Sequence, residues 1–119
     1  MGSVYRPGIT GLAASVAWRR ELGPATFEAT RDLAGYCLER AAELPGVDLL
    51  TPNQDHLSGL VAFRLPGVDV AKAVEELSGD GVDVRSIPDN QALRISCGFF
   101  NTRDEVDHAL GLLDRIARR

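Results

Sequence analysis

The sequence holds one lysine, Lys72, two histidines, His56 and His108, and two cysteines, Cys37 and Cys97. Each scarcity excludes something. Carboxylates outnumber cations and the net charge is −4, so the chain lacks the basic face that nucleic acid or an anionic membrane surface would need. The histidines are far apart, and no Cys or His pair has metal-ligand spacing. Two cysteines make no disulfide framework. Each sits inside an apolar pattern, one helical and one strand-like, where free thiols are commonly buried, and this reads as a reducing, cytoplasmic setting. No apolar run is long enough to span a bilayer, and the N-terminus lacks the plan of a signal peptide. No glycine-rich loop leads from a strand into a helix, so neither nucleotide fingerprint is present.

What is there fits one ordinary domain spanning residues 1–119, 45% hydrophobic and 25% charged, a size that buries a core without staples. Residues 1–8, with Pro7 and Gly8, read as an irregular lead-in. From Ile9 to Leu22, apolar residues recur at Leu12, Val16 and, less regularly, Ala13, Ala17 and Leu22, which predicts a helix. It is nearly free of charge before Arg19 and Arg20, unusual for a surface helix, and points to a cover from outside the chain. Gly23-Pro24 interrupts it and starts a second helix, running to Leu44 with Phe27, Thr30, Ala34, Cys37, Leu38, Ala41 and Leu44 along one stripe. Short strands are expected at Val47–Leu50 and Leu57–Leu65, with Gly59 marking a bulge and Thr51–His56 a polar loop between them. Asp69 caps a short helix that turns Val70, Ala73, Val74 and Leu77 inward. Val82–Ile87 is a third strand. Pro88-Asp89-Asn90 turns tightly into a fourth, so these two form a hairpin. The order gives an α+β fold: a small, largely antiparallel sheet with helices packed on one side, preceded by a long helical pair.

The chemistry converges on Gln91–Glu105. Leu93, Ile95 and Cys97 alternate with Ala92, Arg94 and Ser96. Gly98 breaks the strand, and Thr102 with Glu105 has capping-box spacing for a last helix, Arg103–Ala117, that buries Val106, Ala109, Leu110, Leu113 and Ile116. Arg94 stands among small residues. Two readings are open from these residues: a guanidinium held rigidly enough to grip a carboxylate through two hydrogen bonds, or a solvent-facing cation on a half-exposed strand. Cys97 as a nucleophile would need nearby cations, and Arg94 lies on the other strand face, so a core thiol is expected. His108 and Lys72 read as solvated side chains.

The segments Glu43–Pro52, Gly59–Pro66, Gly81–Arg85, Leu93–Ser96 and Phe100–Thr102, in that order, resemble the C-terminal small domain of class V aminotransferases, which include cysteine desulfurases and isopenicillin N epimerase-like enzymes. The resemblance runs from about Ile9 to the C-terminus. It implies that Arg94, in Arg-x-Ser, binds the α-carboxylate of an amino-acid substrate. Ser96, Asn101 and Thr102 would shape the site's strand-to-helix corner. The loop that bears the desulfurase nucleophile is here Pro88-Asp89-Asn90, without cysteine, which speaks against that activity. The family's large domain, with the lysine and aspartate that hold pyridoxal 5′-phosphate, has no counterpart among these residues. The resemblance therefore implies a larger partner polypeptide carrying the cofactor and its Schiff-base lysine. The alternatives are a non-catalytic domain that binds a protein or a small carboxylate, or a fragment of a longer enzyme.

Overall fold

In the computed structural model, residues 5–119 are described except positions 53, 54, 56, 88 and 90. Helix α1 spans Arg6–Leu22. It begins three residues before the expected Ile9, because Pro7, with its fixed φ and missing N–H, belongs in a first helical turn. The predicted lead-in is correspondingly shorter, and its residues 1–4 lie outside the described residues, as do His56 and most of the Pro88-Asp89-Asn90 turn. Gly23, at φ 72°, ends α1 in a left-handed conformation, which glycine adopts without steric cost. Helix α2 follows at Ala25–Ala42.

The sheet has four strands, β1 (Asp48–Leu49), β2 (Leu60–Arg64), β3 (Arg85–Ile87) and β4 (Ala92–Ser96), in the spatial order β1-β2-β4-β3. All three pairings are antiparallel, and β3 and β4 form the expected hairpin. The strands are shorter than their alternating sequences predict. Val82 and Val84 still reach the core but lie beyond the β3 ladder, and Leu57 and Leu65 are buried outside β2. Burial set the alternation there, and backbone pairing does not extend as far. Helices α3 (Val70–Gly79) and α4 (Arg103–Ala117) complete the fold. Asp69 caps α3 by accepting from the amides of Ala71 and Lys72, as expected.

One face of the sheet is covered by helices. Val61 and Phe63 of β2 and Leu93 and Ile95 of β4 meet Leu38 and Ala41 of α2, Leu77 of α3, and Leu110 and Leu113 of α4. Phe63, Leu77, Leu93 and Leu113 are fully enclosed; each such side chain contributes about 1.5–3 kcal/mol. Burial on α2 begins only at Leu33, so Phe27, predicted on the inward stripe, is exposed. Among the described residues no helix packs on the opposite sheet face, which carries Leu60, Ala62, Arg64, Arg85, Arg94, Ser96 and the enclosed Ala92. Among the described residues no helix is long and apolar enough to cross a membrane.

Candidate functional site

The register of the sheet fixes where Arg94 stands. Ala62 donates its N–H to the Thr51 hydroxyl at 2.9 Å, and its carbonyl accepts from the Leu50 amide at 2.9 Å, so its backbone polar groups face β1. On the other side of β2, Cys97 donates to the Gly59 carbonyl at 2.7 Å. Backbone groups alternate along a strand, so those of Arg94 point toward β3. Arg94 therefore forms the close, non-hydrogen-bonded pair with Ala62 and the hydrogen-bonded pair with Arg85. All three side chains project onto the helix-free face.

Small neighbours make room for the guanidinium. Ala62 lies opposite it, and Ala92 and Ser96 lie two positions away along β4. Arg94 is half-buried, and its Nε is fully buried with no hydrogen-bond partner among the described residues. A buried donor left unpaired costs about 1–3 kcal/mol. Nε together with one terminal nitrogen presents the parallel pair of N–H groups that a carboxylate accepts with both oxygens.

The other residues singled out in the sequence divide. Ser96 is exposed on the same face, opposite Leu60. Asn101 and Thr102 build the corner after β4. Asn101 Oδ1 accepts from the Gly98 amide at 2.9 Å, and the Thr102 hydroxyl accepts from the Glu105 amide while the Glu105 carboxylate accepts from the Thr102 amide at 2.7 Å. That capping box holds the Glu105 carboxyl below its usual range, first through the Thr102 amide and then through Asn101. The structure thus brings Arg94 and Ser96 onto one surface and gives Asn101 and Thr102 local duties at its end.

Cys97 faces the core, away from Arg94, and meets Cys37 of α2. The neighbouring Cys97 thiol, followed by burial, pushes Cys37 up; the Cys37 thiol lowers Cys97, and burial opposes that lowering. Among the described residues no cation acts on either thiol. Among the described residues no group of His, Cys, Asp and Glu is placed to hold a metal ion. His108 and Lys72 are exposed.

A hollow of about 350 Å³ opens where the β3–β4 ladder ends, bounded by Asp80–Val84, Ile95–Cys97 and the start of α4. It includes Ser96 and Asn101 but not Arg94. Two of its three carboxylates are engaged locally, Asp83 by the Ser78 hydroxyl at 3.1 Å and Glu105 by the capping box; Asp80 is the third.

The sequence reading under-weighted one residue, Arg85. The signal was the pattern Val82-Asp83-Val84-Arg85, which puts Arg85 on the outer face, but only the register shows it opposite Arg94.

Helix α1 stands apart from this sheet. Ile9, Leu12 and Val16 form one stripe along it, and each is 51–65% exposed. No α1 residue is buried. Its Trp18 ring lies 6.3 Å from that of Phe99, which follows β4.

Comparison with known proteins agrees with this architecture. The family described as aminotransferase class V matches residues 1–109. Isopenicillin N epimerase of Streptomyces clavuligerus is 36% identical over 108 residues, 86% of this chain and 27% of the epimerase. A probable cysteine desulfurase of Halalkalibacterium halodurans is 27% identical over 118 residues, 89% of this chain and 29% of its own length. Among solved structures, the cysteine desulfurase CsdA of Escherichia coli superposes with a TM-score of 0.82 at 25% identity, over 98% of this chain and 32% of that one. The apo cysteine desulfurase of Thermococcus onnurineus gives 0.85 at 23% identity, over 98% and 32%. The chain thus spans 24–29% of the length of these curated relatives.

Proposed function

This chain belongs to the class V aminotransferase family, and from that premise we propose that it is the small subunit of a two-chain pyridoxal-phosphate enzyme acting on an amino acid. Members of the family, cysteine desulfurases among them, are pyridoxal-phosphate enzymes. The cofactor does not fit this chain alone. Its one lysine, Lys72, is exposed on α3, a helix packed on the covered side of the sheet, away from Arg94. The lysine and the groups that hold the cofactor come from a larger partner in this reading.

The observation that carries the proposal is Arg94, half-buried on the sheet face that no described helix covers, whose buried Nε has no hydrogen-bond partner among the described residues. A substrate carboxylate accepting from Nε and a terminal nitrogen satisfies that donor and fixes the substrate in two dimensions rather than one. Fixing orientation lowers the barrier of the following step, because the entropy of alignment is already spent on binding. Reaction type then depends on the partner's residues. The exposed apolar stripe of α1 supports the partner half of the reading, since a stripe of this kind is ordinarily covered.

The test is purification of the chain from its native cells under mild conditions, with an absorption spectrum of whatever accompanies it. The proposal expects a larger polypeptide in fixed ratio, carrying the yellow absorption of protein-bound pyridoxal phosphate. A colourless chain without a partner would overturn it in favour of a binding module. One long polypeptide containing this sequence would overturn the two-chain arrangement and leave the role of Arg94 to be tested there.

A further inference from the structure

The register that places Arg94 beside Ala62 places Arg85 directly across from it on the other side, in a hydrogen-bonded pair. The Cα atoms in such a pair are about 5.5 Å apart, and both side chains leave the same face. Like charges directly opposite on neighbouring strands repel. Among the described residues neither guanidinium meets a carboxylate. The third arginine of this face, Arg64, differs: it pairs with Asp48 of β1 at 3.2 Å. Asp83, which the alternation would bring beside Arg85, is bonded to Ser78 instead. The face therefore holds two adjacent cations without counter-charge in a chain whose net charge is −4.

From this juxtaposition we propose that Arg85 is a second anion-binding residue, and that the ligand of this face carries two acid groups, an amino acid whose side chain ends in an acid group. The proposal rests on the reading of Arg94 as the α-carboxylate grip and adds the substrate class. Arg94 is half-buried among small residues, suited to a carboxylate held in one orientation. Arg85 is exposed, with the conformational freedom to follow an acid group at the end of a short side chain. One ligand bridging both relieves their repulsion and satisfies the buried Nε at once. A monocarboxylate satisfies only the Nε.

The arginine Nε–Hε resonances of the full chain, in nuclear magnetic resonance titrations with acetate and succinate at constant ionic strength, test this. Acetate is expected to move the Arg94 resonance alone. Succinate is expected to move those of Arg94 and Arg85 together, with at least ten-fold higher affinity. Arg85→Gln should bring succinate affinity down about ten-fold and leave acetate within two-fold. Arg64→Gln, which removes the same charge from the same face, should leave the succinate-to-acetate ratio unchanged. If Arg85→Gln leaves that ratio intact, or Arg64→Gln lowers it equally, the role of Arg85 is overturned while the grip by Arg94 stands. If neither anion moves the Arg94 resonance, both readings fall.

Discussion

Arg94 bears a cost in the folded chain that no hydrogen bond among the described residues offsets. Its Nε is enclosed with no acceptor, and the sequence alone gave no means of seeing that. The alternation of Ala92, Arg94 and Ser96 with Leu93, Ile95 and Cys97 correctly assigned the two faces, because period-two burial is a property of a single strand. Enclosure of one nitrogen depends on what lies across two neighbouring strands. Replacing Arg94 by Ala removes the orphaned donor, so the chain's own stability should fall little, while carboxylate binding should weaken by about 3 kcal/mol, on the order of 100-fold. Thermal unfolding and carboxylate titration on the same variant separate these effects; a large loss of stability with unchanged binding would make Arg94 a structural residue. A second cluster predicts the pH response. Tyr36 of α2 donates to Asp107 of α4 at 2.7 Å, and Arg40 donates to the same carboxylate at 3.0 Å. These bonds, Tyr36 first, hold Asp107 below the usual carboxylate range, while the bond to Asp107 holds the Tyr36 phenol up. A depressed carboxylate contributes stability that is complete above its unfolded value of about 4 and is lost as pH falls through the folded one. A raised phenol contributes stability complete below about 10 and lost as pH rises through its folded value. Circular dichroism melts across pH should show a plateau between these limits, and Asp107→Asn should flatten the acid limb. An acid limb unchanged in that variant would remove Asp107 from the account.

Elements follow their local signals where those signals are strong. The Thr102–Glu105 capping box and the Asp69 cap are present as expected from spacing alone. Thr102→Ala should cost about 1 kcal/mol, lowering Tm by roughly 4–8 °C, with no effect on carboxylate binding at Arg94 if its duty is confined to the corner. Strand ends were legible less well, since Val82 and Val84 alternate like a strand but have lost their ladder partners. Gly59, expected to mark a bulge, has a different reason to be glycine. A Cβ there would lie 2.6 Å from the Cys97 carbonyl oxygen and 2.8 Å from Thr30 Cγ2, so α2, β2 and the end of β4 close together only without it. Gly59→Ala should destabilise the chain by about 1–3 kcal/mol, read in denaturant melts; a neutral outcome would mean that α2 can move away from β2 freely.

At the scale of the whole molecule, the fold is an aminotransferase-type small domain with one covered and one open sheet face. The open face and the uncovered α1 stripe are its two unfinished surfaces. The sequence signalled the second through the missing charge before Arg19, since a helix without polar cover needs cover from elsewhere. It could not give the relation of Arg85 to Arg94, because register across a hairpin depends on its turn. If α1 is the docking element, Leu12→Asp and Val16→Asp should leave the chain's stability within about 0.5 kcal/mol and yet abolish capture of the larger polypeptide. Loss of stability in the isolated chain would instead place this stripe in its own core.

On this reading the chain gives a cofactor-bearing partner its carboxylate grip. The most direct measurement is titration of the purified complex with a panel of amino acids, followed by the absorption of the bound cofactor, for the natural chain and for Arg94→Lys. Lysine keeps the charge but not the paired N–H geometry. The account predicts saturable spectral change with the natural chain and affinity weaker by on the order of 10–100-fold in the variant. Equal affinities in the two complexes would contradict it.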